Sequence, residues 1–408
     1  MSEVKLPEGY KQTEVGVIPE DWGSIKVQDV CDFIVPGRNK PQKFDGDIPW
    51  ITTPDLIDGR AVFFSRSGLK ISKEVAKTVG SKIVPAGSVI MSCVGELGLV
   101  AIAGVNIVIN QQLHAFLPSK KIDNYFLMYA LKDQESYFHG AATKTALPYL
   151  NKDNCNATPL PLPSIQEQTA IATALSDVDN LIQSLEKLIA KKEAIKIGTM
   201  QQLLTGKTRL PEFATREDGN PKGFRQTELG RIPEDWGVKK LGQIIELKSG
   251  ETITSKDINS DDQFPCYGGN GLRGYTSTFN KNGEHVLVGR QGALCGNVEY
   301  VNTKFFASEH ALVATAIDDC NYKWLAYVLN RMNLNQYSES SAQPGLSAQK
   351  LKKLTVALPI KQEQTAIATI LSDMDTEIQA LQQHLDKTKD IKQGMMQQLL
   401  TGKVRLAH

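Results

Sequence analysis

Long apolar runs are missing from this 408-residue chain. None reaches 18 residues and no signal peptide opens it, so neither membrane insertion nor secretion is expected. Paired cysteines are missing as well. The six present (Cys31, Cys93, Cys155, Cys266, Cys295, Cys320) show no CxxC spacing, which argues against a zinc ribbon or disulfide frame and fits reduced packing residues in a cytoplasmic protein. The six histidines lack metal-ligand spacing, so no metal site is expected. A net charge of +1 supplies no global attraction to nucleic acid, and any DNA binding must rest on local patches or on partners. Apolar content of 41% and charged content of 22% describe an ordinary globular chain, long enough for two domains.

Enzyme signatures fail in turn. Gly206-Lys207-Thr208 ends like a phosphate-binding loop, but the first glycine would fall at Gln201, and a second copy of the segment has Val404 in place of Thr208. Gly269-Asn-Gly271-Leu-Arg-Gly274 fits GxGxxG, yet the strand-like run Tyr275-Thr-Ser-Thr-Phe follows where a helix is needed. No Asn/Asp-Pro-Pro-aromatic tetrapeptide is present, and Pro54-Asp55 is followed by no acidic-x-Lys partner at a nuclease-like spacing. His114 and His310 read as hydrogen-bonded structural residues. The chain on its own is expected to catalyse nothing.

What the chain does have is a frame written twice. Gln12–Gly23 (QTEVGVIPEDWG) returns as Gln226–Gly237 (QTELGRIPEDWG), Gln166–Asp177 (QEQTAIATALSD) as Gln362–Asp373, and Gln201–Leu210 (QQLLTGKTRL) as Gln397–Leu406. The head recurs at a distance of 214 and the other two motifs at 196, so the insert between them, residues 24–163, is 18 longer than its counterpart, 238–359. The inserts show no comparable likeness. Identical mounts carrying unlike inserts point to one mechanical job done on two different targets. Trp22 and Trp236 sit in identical IPEDWG settings and are expected to pack into the frame.

After each insert comes a long proline-free stretch, and Ser164 with Glu167 fits a capping box at the start of the first. Apolar residues then fall at Ile171, Leu175, Val178, Ile182, Leu185 and Ile189, and again at Ile367, Leu371, Met374, Ile378, Leu381 and Leu385. The 4-3-4-3-4 spacing is a coiled-coil seam. Lys192 and Thr388 are expected to break it, Gly198 and Gly394 to weaken the helix, and Met200–Leu204 and Met396–Leu400 to form short final helices stopped by Gly206 and Gly402. A tethered second copy is the easiest partner, so residues 165–204 are expected to pair with 361–400, antiparallel. The competing arrangement has each helix lying on its own domain core. Lys187, Lys191, Lys192 and Lys196 read as a solvated helix face.

Each insert mixes short β-runs with helices near 124–131 and 322–330. Residues able to address bases or phosphates from glycine-flanked loops are the binding candidates. In the first insert these are Arg38, Asn39, Lys40, Lys43, Thr52, Thr53, Asn110, Gln111 and Lys144. In the second they are Tyr267, Asn270, Arg273, Arg290, Gln291, Glu309, His310 and Gln343. Each weighs equally as a turn stabiliser.

The PLPLPSIQEQTAIATALSD segment leading into a long helix, repeated after a second variable domain and flanked by IPEDW and QQLLTGKxRL, closely resembles the specificity subunit of type I restriction-modification enzymes, over essentially the whole chain. The resemblance implies an α+β, pseudo-two-fold design. Its parts would be target recognition domain 1 (1–163), spacer helix 1 (164–205), a linker (206–225), target recognition domain 2 (226–359), spacer helix 2 (360–402) and a tail (403–408). It further implies double-stranded DNA as ligand, with an asymmetric split target whose half-sites lie about 10–12 base pairs apart. Partners would be two methyltransferase subunits and motor-nuclease subunits, and S-adenosylmethionine, ATP and Mg would sit on those partners, with no cofactor in this chain. The rival reading is a coiled-coil adaptor between proteins that never touches DNA.

Overall fold

The computed structural model describes residues 6–37, 39–292, 294–317, 319–338 and 345–406. The chain forms two compact units whose boundary cuts through both long helices: one unit runs to Glu186 and resumes at Gln383, the other holds Lys187–Gln382. The first unit therefore takes its last segment from the far end of the chain.

In the first unit, an antiparallel hairpin of Tyr10–Thr13 and Gly16–Pro19 precedes the strand Gly23–Lys26, which pairs with Pro159–Leu162. The insert between them builds a five-stranded sheet in the order Phe33–Ile34, Leu113–Phe116, Val89–Ser92, Val100–Ala103, Ala61–Val62, with only the last pair parallel. A three-stranded sheet (Val108–Ile109, Ile48–Ile51, Lys70–Ile71) stands beside it. The strands of the larger sheet's centre are buried on both faces, which is why the sequence shows apolar runs there and not alternation. The helix Asn124–Lys132 covers one face; Asp123 caps it by accepting from two backbone amides, and Phe126–Leu131 are all buried.

The second unit repeats the mount and changes the cargo. Phe224–Thr227 pairs with Gly230–Pro233, and Gly237–Lys240 with Thr355–Leu358. The insert is a six-stranded sheet: Ile245–Ser249, Ala311–Ala316, Lys281–Gly289, Val298–Ala307, Phe264–Gly268, Gly271–Thr276. Helix Tyr322–Arg331, capped by Asn321, buries Trp324, Leu325, Val328 and Leu329 against it, a one-sided stripe at helical spacing. The GxGxxG glycines lie on a β-hairpin, as the strand-like run after them requires.

The long helices run Ile165–Leu203 and Lys361–Leu399. Both are continuous through Gly198 and Gly394, so the separate terminal helices expected from the sequence do not exist. Each glycine costs about 1 kcal/mol, less than the burial of the Leu203–Leu204 and Leu399–Leu400 pairs beyond it contributes. Pairing is antiparallel inside each unit. In the first, Asp179 meets Lys392 at 2.6 Å and Glu186 meets Lys389 at 3.7 Å. In the second, Lys192 meets Glu377 at 2.6 Å and Lys196 meets Asp375. As one helix advances, its partner's numbers fall.

Seam residues Ile171, Leu175, Ile182, Leu185, Ile189, Ile367, Leu371 and Leu385 are buried, while Val178, Met374, Ile378 and Leu381 are half-buried. The outermost ones do double duty. Ile171 and Leu175 join the first domain's core with Trp22, Phe126 and Leu400, and Ile367 and Leu371 join the second's with Trp236, Trp324 and Leu204. Both arrangements weighed for these helices are thus realised, the domain-packed one at the N-terminal turns. Thr388 does not break the seam. It is buried, and its hydroxyl donates to the His384 carbonyl at 2.7 Å, so no polar group is left unmatched. Nor are Lys192 and Lys196 a solvated face, since both are spent on the cross-helix ion pairs.

Candidate nucleic-acid interface and its mounts

The repeated motifs converge on one cluster per unit. In the first, the indole N–H of Trp22 donates to Glu167 Oε2 at 3.0 Å. Arg405 binds the same carboxylate and reaches Asp21 through both terminal nitrogens, at 3.0 and 2.9 Å, while its guanidinium lies 5.6 Å over the Trp22 ring. In the second, Trp236 donates to Glu363 Oε2 at 2.9 Å, and Arg209 holds Glu363 (2.6 and 2.9 Å) and Asp235 (2.8 and 3.2 Å) over the Trp236 ring.

The two clusters match atom for atom but draw on the repeats crosswise. Each takes its head and helix start from one copy and its arginine from the other. The tail glycines explain why only that residue fits there. Gly402 adopts φ +68° against Pro19 and Trp22, and Gly206 the same φ against Pro233 and Trp236, where a Cβ would come within 2.4 Å of a proline ring carbon.

Glu167 is therefore not the reciprocal half of a capping box. Ser164 does accept from the Glu167 amide at 3.2 Å, but the carboxylate belongs to Trp22 and Arg405. The neighbouring glutamine makes a separate pair of bonds. Gln168 accepts from the Asp123 amide and donates to the Pro163 carbonyl, and Gln364 does the same with Asn321 and Pro359, all at 2.9–3.0 Å. The QEQ triplet thus ties the long helix to the head through its Glu and, through its second Gln, to the start of the insert's helix (Asn124–Lys132 in one unit, Tyr322–Arg331 in the other). A third tie follows, in which Tyr129 donates to Asp179 at 2.7 Å and Tyr327 to Asp375 at 2.5 Å, each carboxylate also pairing with a lysine of the other long helix.

Electrostatics differ between the clusters. Burial pushes the Glu363 carboxyl up, and Arg209 and Trp236 only partly pull it back. Burial also works to raise Asp235, but Arg209 and Lys222 hold it below the usual range. The side chain of Arg209 is 7% exposed and that of Arg405 41% exposed, so the second cluster is the drier.

The binding candidates of the second unit are brought together. Tyr267 pairs with Ala307 at the strand end, the Ser308 amide donates to the Tyr267 carbonyl at 2.9 Å, and Glu309 and His310 follow, 3.2 Å apart. The Arg290 amide donates to the His310 carbonyl at 2.8 Å, and its guanidinium to Ser249. The YGGNG and GRQG loops touch backbone to backbone: a Cβ on Gly289 would lie 2.1 Å from the Gly269 carbonyl oxygen, and one on Gly269 would lie 2.5 Å from that of Gln291. Asn270, Arg273 and Gln291 stay exposed at this edge, and one Glu309 oxygen is buried without a hydrogen-bond partner. Gln343 lies outside the described residues.

The first unit's candidates divide. Thr52 gives its amide and hydroxyl to Asp55, while Thr53 and Asn110 both bond Gln112 at 3.2 Å, so these three hold a turn together. Gln111 is exposed but its amide donates to the Gly37 carbonyl at 2.8 Å, anchoring the loop that bears Asn39, Lys40 and Lys43. Lys40 sits 5.8 Å over the Trp50 ring; Asn39, Lys43 and Lys144 are exposed, and Arg38 lies outside the described residues. His114 is structural: it is buried between Phe33 and Phe116, bonded to Asn156 at 3.0 Å, and burial pulls its pKa down to about 4. Among the described residues no group of side chains could hold a metal ion, and no helix is long and apolar enough to cross a membrane.

Comparison with known proteins agrees with this architecture. The family described as type I restriction modification DNA specificity domain matches residues 19–196 and 233–389. The EcoprrI specificity subunit of Escherichia coli is 29% identical over 360 residues, covering 86% of each chain. The MjaVIII specificity subunit of Methanocaldococcus jannaschii is 25% identical, over 98% of this chain and 96% of its own. The fold is shared with the crystal structure of a type I restriction-modification S subunit from M. genitalium, with a TM-score of 0.64 at 16% identity over 97% of this chain and 98% of the other.

Proposed function

Because this chain belongs to the type I restriction-modification DNA specificity family and is the specificity subunit of such a system, we propose that each unit's insert reads one half of an asymmetric split DNA sequence. The observation that carries this reading is two unlike β-domains on chemically identical Trp–Glu–Arg–Asp mounts. The antiparallel helices set the spacing and dock two methyltransferase subunits, with motor-nuclease subunits joining the assembly. In this reading the chain binds double-stranded DNA in the cytoplasm and contributes no catalysis. S-adenosylmethionine, ATP and Mg serve the partner subunits. No observation favours an adaptor that lacks DNA contact.

In the second unit, Asn270, Arg273, Arg290, Gln291, Glu309 and His310 are the reading surface, since they share one loop-lined edge. Arginine addresses guanine bidentately, and Asn or Gln addresses adenine. In the first unit, Asn39, Lys43, Gln111 and Lys144 remain the contact residues, with Thr52, Thr53 and Asn110 as their supports.

Single-molecule methylome sequencing of a host carrying the chain and its methyltransferase tests this. The expected product is a split motif of N6-methyladenine, with R273A/R290A relaxing one half only, at about 1–3 kcal/mol of lost discrimination per base contact. Absence of any split motif with a folded, expressed methyltransferase would sink the reading.

A further inference from the structure

The two ends of the frame are not chemically equal. In the second unit a cavity of about 740 Å³ opens among the tail, the head hairpin, the strand leading into the second long helix and the end of helix Tyr322–Arg331. Lys207, Arg231 and Arg331 line it, and none of its lining residues is acidic. The rest of the wall is largely apolar, with Phe224, Leu229 and Met332 among its members. Arg231 lies 4.6 Å over the Phe224 ring, which holds its guanidinium in place at the rim.

Repeat offsets identify the matching positions in the first unit. The head offset of 214 places Val17 where Arg231 stands, and the tail offset of 196 places Lys403 where Lys207 stands. The tyrosine pair Tyr129 and Tyr327, which make the same bond to Asp179 and Asp375, places Asp133 where Arg331 stands. Three cations in one unit thus correspond to one cation, one valine and one carboxylate in the other.

We propose that the second-unit cavity receives an acidic, partly apolar segment of the methyltransferase partner, and that the first unit lacks this receptor. Two copies of one partner then bind this chain with unequal affinity. The proposal rests on the specificity-subunit reading and adds to it which end binds tighter and by what chemistry. An apolar wall with a few convergent cations suits the anchoring side chains of an acidic, partly apolar protein segment. Protein interfaces favour arginine beside aromatic anchors. A DNA backbone, by contrast, is held by exposed cations and gains nothing from an apolar wall. The wall is also built from frame segments, which serve whatever sequence the inserts read.

The test is a native mass spectrometry titration of the full-length chain with its methyltransferase subunit, at two salt concentrations. Two binding steps are expected, the tighter one weakened at least tenfold in R231V/R331D and the other unmoved, with the salt dependence of the tighter step reduced. R231K/R331K should retain the tighter step at low salt, which separates loss of charge from loss of fold. Unchanged binding in R231V/R331D overturns the proposal. So does a variant that weakens DNA binding while both steps stay as in the parent, which would assign the cations to phosphate. A parent chain that binds no methyltransferase overturns this proposal together with the functional reading.

Discussion

Glu363→Ala should destabilise its unit more than Glu167→Ala destabilises the other, although the repeat makes the two residues equivalent. Glu363 is 2% exposed and the Arg209 side chain 7%, so truncation leaves a dry guanidinium matched to Asp235 alone and the Trp236 indole N–H without an acceptor. Removing one member of such a buried pair costs about 3–5 kcal/mol. Glu167 is equally buried, but Arg405 is 41% exposed and turns to water when its partner goes. What remains is the orphaned Trp22 N–H, about 1–3 kcal/mol. The difference should be about 2 kcal/mol. Glu363→Gln isolates the ionic part, because the amide oxygen still accepts from Trp236, and should cost about half as much as Glu363→Ala. Hydrogen exchange read by mass spectrometry on the peptides bearing Trp22 and Trp236, through a urea series, reports each unit separately. Equal losses, or a larger loss in Glu167→Ala, would refute the argument from desolvation.

His114 makes the first unit acid-sensitive. Its pKa lies near 4 when folded and about 6.5 when unfolded, so the unfolded chain binds the extra proton. Stability is therefore present above pH 6.5 and lost as pH falls toward 4, by up to about 3 kcal/mol; His114→Gln should flatten that dependence in thermal melts of the two units. Thr388→Val should change stability by less than about 1 kcal/mol, since it removes a satisfied donor and adds a methyl to an apolar seam; a loss above about 2 kcal/mol would mean the hydroxyl has another role. Tyr327→Phe removes a hydrogen bond to a carboxylate that also pairs with Lys196, and should cost about 1.5–3 kcal/mol in urea unfolding of the second unit.

Much of the scaffold was legible because its causes are local. Seam spacing follows from 3.6 residues per turn, a left-handed glycine stops a helix wherever it stands, and the insert helices Asn124–Lys132 and Tyr322–Arg331 begin after Asp123 and Asn321 because those side chains accept from amides two or three residues on. The candidate interface was half legible. Residue type and loop setting flagged Arg273, Arg290 and Gln291, and the fold gathers them. The same signals flagged Thr52, Thr53 and Asn110, which the fold spends on Asp55 and Gln112. A polar side chain in a glycine-rich loop looks alike whether its partner is DNA or a neighbouring turn.

The mounts show most sharply where local rules stop. Sequence alone established that a head, a helix start and a tail exist twice, since duplication is written in the letters and helix and strand signals act within a few residues. It left open which arginine serves which glutamate. Arg209 and Arg405 sit in identical segments, and so do Glu167 and Glu363, so either pairing has the same chemistry. The choice is made by packing across 154 and 238 residues. Antiparallel helices bring each tail beside the head of the other copy, Gly402 against Trp22 and Gly206 against Trp236. Folding thereby turns two tandem repeats into two units that each borrow from both.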